Sequence, residues 1–439
     1  MINRPEYLDN LIRWKDKDDM IKVVTGVRRC GKSTLFQLFQ EHLKKNGVSD
    51  KQILNINLEM ADNAALLNWQ KLHDYIEEHT IKDQMNYVFL DEIQMVEEYQ
   101  RAVNSLRLKK NIDLYITGSN AYMFSQKLTT LLSGRYIEIK MLPLSFKEYM
   151  SVFPNLDENS YDRKFNDYVS YGSFPQIMDF YKKEITPLFN FSKGPKEVGP
   201  EKYAFSFAQN NLDEHAWHNY LDSLYNTIIV KDIMTRQGIQ ELSKLNRVIK
   251  FMFDNIGSET SLNNISNVLN NDLKLDAKES KIHVQTIEKY IDGLLDGYIF
   301  YKVSPSYLKG KSRLRSNAKY YAVDVGLKYF LLGGNSTQDA GHILENIVYL
   351  ELIRRGYTVE TGKVGNMEVD FVAKLPGGKV EYYQVAQSVQ SEEILARELK
   401  SLQSLKDSYP KFILSRDYNN GNYSGIQHMN VLNWLMDKK

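Results

Sequence analysis

The stretch Ile21–Thr34, which reads IKVVTGVRRCGKST, has the residue types and spacing of a phosphate-binding loop. Its apolar, β-branched start predicts a buried strand, Gly26 breaks that strand, and the GKST beginning at Gly31 opens a helical segment. Glycines here let the backbone wrap around phosphate oxygens, and the N–H groups at the helix start attract the anion. In this pattern Lys32 reaches the β- and γ-phosphates, while the Ser33 hydroxyl holds Mg²⁺. The chain is therefore predicted to bind ATP.

The predicted nucleotide contacts are consecutive residues of this loop. They are Gly26, Val27, Arg28, Arg29, Cys30, Gly31, Lys32, Ser33 and Thr34. Cys30 is the single cysteine of the chain, which forbids an internal disulfide and suits a reducing cytoplasm. Its role is either that of a small loop residue or that of an oxidation site that would block ATP.

An acidic pair follows the next strongly apolar run, in the segment YVFLDEIQ. An aspartate at the end of a buried strand can hold the Mg²⁺ water shell, so Asp91 and Ser33 are the predicted metal residues. Glu92, directly after it, can orient or deprotonate the attacking water. Ser119 or Asn120, after a neighbouring strand, can hydrogen-bond that water or the γ-phosphate, although a plain turn is the alternative. Lys32 completes this predicted catalytic group.

Arg28, Arg29 and Arg135 are the candidate cations for the charge of the transition state. A guanidinium can neutralise charge on the transferring phosphoryl group, either in cis or from a neighbouring subunit. Salt bridges within the protein are the structural alternative for Arg28 and Arg29, and an ion pair at a sheet edge is the alternative for Arg135.

Strand-like runs separated by helical patterns must position these residues. They are Ile53–Leu58, Tyr87–Leu90, Leu114–Thr117 and Tyr136–Ile139, in addition to the strand before the loop. This alternation predicts an α/β fold in which a parallel sheet carries helices on both faces. Ligands of such sheets bind at the carboxyl ends of the strands, where the polar residues fall.

Several segments in a fixed order carry a resemblance to a known family. They are GVRRCGKST, VFLDEIQ, ITGSN, LLSGRYIEIKMLPLSFKEYM and YGSFPQ. Together they resemble a prokaryotic AAA+ P-loop ATPase family of the archaeal type, with an Arg-Arg phosphate loop and a C-terminal domain of unknown function. The resemblance covers nearly the whole chain. It implies an AAA+ core and suggests assembly into rings, which makes a homo-oligomer one option and leaves the oligomeric state open, and it assigns no biological role.

The expected domains are an ATPase core over 1–145, a helical lid or connector over 146–240, a winged helix over 241–330 and a C-terminal domain over 336–439. Three helical patterns and a hairpin pattern suggest the winged helix. They are Asn246–Ile256, Leu262–Leu269 and His283–Leu295, followed by Tyr298–Val303 and Lys319–Val323.

The hairpin region is basic, since 297–323 contains no Asp or Glu. Its cations are Lys302, Lys309, Lys311, Arg313, Arg315 and Lys319. Clustered cations neutralise phosphates, so DNA is one expected partner. Glu288 and Asp292 on the third helix argue against DNA, and winged helices also bind proteins, so a protein partner is the alternative.

The C-terminal order of helix, three strands, helix and strand resembles a restriction-endonuclease-like core. In active members a helix Glu, a strand Asp and a Glu-x-Lys bind Mg²⁺ and activate water. Glu345, Glu368 and Asp370 match the first parts. Gln384 and Ala386 stand where Glu-x-Lys belongs, so a degenerate, non-catalytic domain is expected.

Composition narrows the classes of protein. With 439 residues, 25% of them charged, and a net charge of +1, the chain is predicted to be a multi-domain soluble protein rather than a globally basic nucleic-acid coat. Its amino terminus lacks a signal-peptide pattern, and no apolar run approaches the roughly 20 residues of a membrane span. We therefore expect a cytoplasmic Mg²⁺-dependent ATPase that couples nucleotide state to a partner. The alternatives are an ATP-driven DNA-processing nuclease and a nucleotide-gated scaffold with little turnover.

Overall fold

The computed structural model describes residues 2–119, 134–153, 160–185, 212–271, 281–307, 317–334, 339–365 and 367–438. The chain divides into a first unit, Met1–Pro143 with Asp296–Tyr298, and a second unit, Leu144–Leu295 with Ile299–Lys439. None of the helices in these described ranges is long and apolar enough to cross a bilayer.

The first unit is a parallel sheet with helices on both faces. Its described elements are α1 (Pro5–Arg13), β1 (Ile21–Thr25), α2 (Lys32–Lys45), β2 (Ile53–Asn57), α3 (Trp69–His79), β3 (Asn86–Asp91), α4 (Tyr99–Leu106), β4 (Ile112–Gly118) and β5 (Tyr136–Lys140). The described strands lie in the order β2-β3-β4-β1-β5, and each pairing is parallel. This confirms the predicted α/β fold class for the first part of the chain.

Alternation along β3 explains why helices cover both faces of this sheet. Val88 belongs to a buried apolar cluster that includes Leu72 of α3 and Val103 of α4. The next residue, Phe89, points to the opposite face and meets Phe36 of α2, with ring centroids 5.1 Å apart. Each residue of β3 is buried, as expected for a parallel strand that is covered on both sides.

The second unit begins with helices and a small antiparallel sheet. Its first described elements are α5 (Phe146–Met150), α6 (Ser160–Tyr171), α7 (Pro175–Ile185), α8 (Glu214–Asn226), α9 (Leu242–Asp254), α10 (Leu262–Asn271), α11 (Val284–Asp296), β6 (Phe300–Val303), β7 (Pro305–Tyr307) and β8 (Lys319–Ala322). Strands β6 and β8 pair antiparallel, with Val303 opposite Lys319. The helices and the hairpin follow the predicted order, and their assignment as a winged helix stays a prediction.

The second unit ends in a larger mixed sheet. The elements are α12 (Val325–Leu332), α13 (Ala340–Arg354), β9 (Thr358–Val364), β10 (Met367–Lys374), β11 (Val380–Val385), α14 (Glu392–Gln403), β12 (Lys411–Ser415), β13 (Gly421–Tyr423), β14 (Ile426–Asn430) and α15 (Val431–Leu435). The described strands run in the order β13-β14-β12-β11-β10-β9-β7. Strands β9, β10 and β11 pair antiparallel, whereas β11, β12 and β14 pair in parallel.

Some elements were not predicted from the sequence. Strand β7 is three residues long and joins the large sheet through parallel pairing of Pro305 with Thr361. The residues Thr227–Met234 form a π-helical continuation of α8. Short strands whose partners lie far away in sequence leave no periodic pattern of their own, so tertiary pairing alone creates them.

The YGSFP segment has a structural role at the start of α12. Asp324 is buried and its carboxylate accepts hydrogen bonds from the Ser173 backbone N–H (2.6 Å) and hydroxyl (2.5 Å) and from Leu327 N–H (3.1 Å). A Cβ at Gly326 would lie 2.4 Å from the Cα of Gly172. The two glycines therefore allow the backbones to meet where no side chain fits.

We predict that Gly326→Ala lowers the free energy of unfolding by about 1–3 kcal/mol, because the added methyl group must push the backbone of Gly172 away. Gly341→Ala is the matched control, since a Cβ at this helical position meets no described atom within 4 Å. Urea unfolding of both variants checks this. Equal midpoints for the two variants would contradict the close approach.

Candidate functional site

The head of α2 meets the carboxyl end of β3 in the first unit. The Ser33 hydroxyl donates to Asp91 Oδ2 at 2.5 Å, and the Thr117 hydroxyl donates to Asp91 Oδ1. Asp91 is 4% exposed, and this burial raises the pKa of its carboxyl group, while the two hydroxyl donors oppose the rise. The two residues predicted to hold a metal therefore lie side by side.

The side chain of Lys32 folds back onto the phosphate loop. Its ammonium donates to the carbonyl oxygens of Gly26 (3.0 Å) and Val27 (3.2 Å), and it lies 3.7 Å from Glu92 Oε1. The residue is buried, so its charge acts in a region with little water. A positive charge thus stands at the centre of the loop, held by neutral carbonyls and one carboxylate.

Glu92 adopts a backbone conformation that is uncommon for a residue with a Cβ, with φ of +55°. Its N–H donates to the Thr117 hydroxyl at 2.9 Å. Its carboxylate Oε2 accepts from the Gln94 amide and from the Ser119 hydroxyl at 3.2 Å. Burial alone would raise the pKa of Glu92, but the charge of Lys32 and these donors bring it below its ordinary value. Glu92 is therefore ionised at neutral pH and held in one orientation.

The loop itself is packed tightly. Gly26 has φ of +148°, and a Cβ there would lie 2.1 Å from the carbonyl oxygen of Met141. Val27 and Cys30 are buried, and burial raises the pKa of the Cys30 thiol. A buried, protonated thiol reacts poorly with oxidants, which favours the small-residue role of Cys30 over the oxidation site. Gly31 is the N-cap residue of α2.

The predicted arginines are placed differently from one another. Arg28 pairs with Glu59 at 2.9 Å, and Arg29, also on the loop, is exposed. Arg135 lies at the amino end of β5, where its carbonyl accepts from Ile21 N–H at 3.1 Å. Arg135 thus lies beside the first residue of β1, whereas the phosphate loop follows the last residue of that strand. Five residues of strand separate these two ends by about 16 Å. The structure therefore does not bring Arg135 to the site of its own chain. Asn120 lies outside the described residues.

Sequence reasoning missed three residues of this site. Thr117 contacts both members of the acidic pair, and its position at the end of an apolar strand was a usable signal. Gln94 belongs to the DEIQ segment, but its contact with the Glu92 carboxylate was not predicted. Arg4 gave no local signal: its guanidinium is buried and donates to the carbonyl oxygens of Cys30 (3.0 Å) and Leu142 (2.7 Å).

One residue of the predicted DNA contact requires a correction. Lys319 is 7% exposed and pairs with Glu345 and Glu368 at 2.9 and 2.7 Å, so it is not available to neutralise a phosphate. Lys302, another cation of that group, is exposed. The remaining cations of that group lie outside the described residues: Lys309, Lys311, Arg313 and Arg315.

Comparisons with known proteins assign an AAA domain to the first part of the chain. A family model described as an AAA domain matches residues 18–150, and one described as a domain of unknown function (DUF8612) matches residues 206–338. An uncharacterized protein of Haemophilus influenzae is 35% identical over 440 residues, which is 99% of this chain and 99% of that protein. An uncharacterized protein of Methanocaldococcus jannaschii is 27% identical over 408 residues, which is 88% of this chain and 79% of that protein.

Among solved structures, the Aeropyrum pernix ORC2 protein in ADPNP–ADP complexes aligns with this chain at 10% sequence identity. The alignment covers 79% of this chain and 93% of that protein, and its TM-score of 0.41 is too low to bear on function.

We predict that Arg4→Met lowers the free energy of unfolding by about 1–3 kcal/mol, because the buried carbonyls of Cys30 and Leu142 lose their donor. Arg13→Met, an exposed position at the end of the same helix, is the control and is expected to change little. Chemical denaturation followed by circular dichroism measures both. A loss of the same size in the control would show that Arg4 acts only as part of α1.

Proposed function

We propose that this chain, which belongs to the same family as the Haemophilus influenzae protein and contains an AAA domain, binds ATP with Mg²⁺ and hydrolyses it. One arrangement carries the proposal: Lys32 and Ser33 at the head of α2 lie against the acidic pair that ends β3. A loop of backbone N–H groups beside two carboxylates is suited to a triphosphate and its cation.

The side chains around Ser33 fit a magnesium ion. Mg²⁺ prefers oxygen ligands, takes few of them from the protein and keeps several waters. Ser33 and Asp91 offer a hydroxyl and a carboxylate that already lie 2.5 Å apart, and they are the residues that would hold the ion. When bound, Mg²⁺ would neutralise charge on the phosphate oxygens.

Lys32 is proposed to bind the β- and γ-phosphates. In the structure its ammonium is held by the neutral carbonyls of Gly26 and Val27, which are weaker acceptors than a phosphate. Phosphate oxygens, as stronger acceptors, can therefore replace these two carbonyl contacts. The remaining loop residues, from Arg28 to Thr34, are proposed to surround the triphosphate with backbone N–H groups, and Arg28 and Arg29 supply further positive charge.

Glu92 is proposed to take the proton of the attacking water. Its Oε2 is occupied by the donors Gln94 and Ser119, which leaves Oε1, on the side of Lys32, to accept the proton. Thr117 positions the backbone of Glu92 and the carboxylate of Asp91 together. Asn120 keeps its proposed role at the γ-phosphate, and Arg135 can act only on a neighbouring subunit's nucleotide, which suits a homo-oligomer.

We predict that Lys32→Ala abolishes ATP binding, whereas Glu92→Gln binds ATP normally and hydrolyses it at least 100-fold more slowly, because the amide cannot accept the proton. Lys45→Ala, an exposed lysine at the end of α2, is the control and keeps both properties. Fluorescent nucleotide titration and phosphate release measure the two steps separately.

Undiminished hydrolysis in Lys32→Ala would refute the proposed site. If the wild-type chain retained ATP tightly but released no measurable phosphate, the scaffold alternative would replace hydrolysis.

We further propose that the second unit binds DNA and couples it to nucleotide state. The supporting observation is that Gln285 and Lys289 are exposed on α11 and line a surface pocket of about 450 Å³ with Thr286, while Lys302 is exposed on β6. Polar and basic side chains on the third helix of the series α9, α10 and α11 suit a winged-helix contact with DNA. A protein partner on the same face is the alternative.

We predict that duplex DNA stimulates ATP hydrolysis and that the stimulation fades as salt rises. The double variant Lys289→Ala with Lys302→Ala should lower the slope of log binding constant against log salt by about 2, since each phosphate contact contributes about 0.9. Lys71→Ala, on α3 of the first unit, is the control. A slope unchanged by the double variant would assign this face to a protein partner.

A further inference from the structure

One lysine of the hairpin, Lys319, lies between carboxylates of helix α13 and strand β10. The Lys319 ammonium is 2.9 Å from Glu345 Oε1 on α13 and 2.7 Å from Glu368 Oε1 on β10. The side chains of Lys319 and Glu345 are each 8% exposed, and that of Glu368 is 37% exposed. Two carboxylate oxygens contact the same buried ammonium, so the position of the Lys319 ammonium is fixed from two sides.

A third carboxyl group completes this acidic cluster of Glu345, Glu368 and Asp370. Asp370 accepts a hydrogen bond from Val385 N–H at 2.8 Å, and its own N–H donates to Gln384 Oε1 at 3.3 Å. Burial and the charge of Glu345 raise the pKa of Asp370. Burial alone would lower the pKa of Lys319, but the three carboxyl groups raise it above its ordinary value. Lys319, which pairs directly with Glu345 and Glu368, therefore supplies positive charge inside this cluster.

The neighbouring strand offers no replacement for this charge. Gln384 and Ala386 are both buried on or beside β11, and the Gln384 amide oxygen also accepts from the Ser401 hydroxyl at 3.4 Å. Within the described ranges, no group of three or more His, Cys, Asp or Glu side chains is arranged to hold a metal ion. A divalent ion could enter the cluster only if Lys319 left it.

Further contacts bind the same strand to the same helix. The Tyr321 hydroxyl donates to Glu345 Oε1 at 2.6 Å, and Tyr321 is fully buried. The Asn346 side chain accepts from Ala322 N–H (2.7 Å) and donates to Ala322 carbonyl (2.9 Å), as a neighbouring strand would. Strand β8 is thus attached to α13 along most of its length.

We propose that the ammonium of Lys319 is the permanent cation of this acidic cluster, taking the place of a divalent metal and fastening the hairpin to the C-terminal sheet. The C-terminal sheet is then an anchor for the hairpin and not a metal-dependent nuclease. This inference concerns the second unit and is independent of the proposed ATPase site.

Thermal unfolding of the full-length chain tests the role of the charge. Lys319→Met keeps the aliphatic stem but leaves the carboxylates uncompensated, so its midpoint should fall by about 5–10 °C. Lys302→Met, an exposed lysine on β6, is the control and should change by less than about 2 °C. Adding Glu345→Gln and Glu368→Gln to Lys319→Met should recover at least half of the loss, because the repulsion is removed with the charges. Additive losses in the triple variant would overturn the proposal.

A second measurement tests the exclusion of metal. Millimolar MnCl2 is added to the nucleotide-free wild-type chain and to Asp370→Asn, and both the unfolding midpoint and the cleavage of supercoiled plasmid are followed. We expect that Mn²⁺ changes the unfolding midpoint of the two proteins equally and that neither protein cleaves the plasmid. A Mn²⁺-dependent rise in midpoint, or plasmid cleavage, that disappears in Asp370→Asn would show that a metal displaces Lys319 and would overturn the proposal.

Discussion

The parallel pairing of β3 with β4 and of β4 with β1 is the constraint on which the candidate site depends. It brings the ends of three strands to one edge, with Leu90 beside Ile116 and Val24 beside Thr117. The Thr117 hydroxyl can then reach both the Asp91 carboxylate and the Glu92 N–H. A one-residue slip of β4 would turn Thr117 to the opposite face and remove both contacts. The apolar packing of the strands therefore also sets the geometry of the polar groups.

Two buried lysines show how the same chemical group serves different ends. Lys32 donates to two backbone carbonyls and lies 3.7 Å from a single carboxylate oxygen of Glu92, so most of its direct acceptors are neutral. Lys319 is held by two carboxylates and lies near a third, and removing it would leave buried negative charge uncompensated. The first arrangement suits binding and release, whereas the second suits permanent attachment. Which acceptors surround an ammonium thus decides what it does.

Much of the architecture followed from periodicity and local signals. The strand before the phosphate loop, the helix after it and the acidic pair at the end of β3 were predicted because apolar runs and glycines mark them directly. The helices before the hairpin and the strand Lys411–Ser415 were predicted for the same reason. The three-residue β7 and the π-helical turns after α8 were missed, since pairing and packing with distant residues create them. Arg135 and Lys319 were misplaced because a basic residue in a sequence does not reveal which end of a strand, or which carboxylate, it will meet.

The sequence by itself determined which chemical groups are available at the first site: a loop with two glycines and a lysine, a serine hydroxyl and two carboxylates at a strand end. These depend on spacings of a few residues, which the chain imposes locally. The tertiary structure decided which of those groups meet. It also decided that Arg4 donates to the carbonyl of Cys30, 26 residues later in the chain, and that the hairpin lysine Lys319 pairs with carboxylates of α13 and β10. The reason is physical, because burial and the pairing of charges depend on contacts between distant parts of the chain, and only the folded packing establishes those contacts.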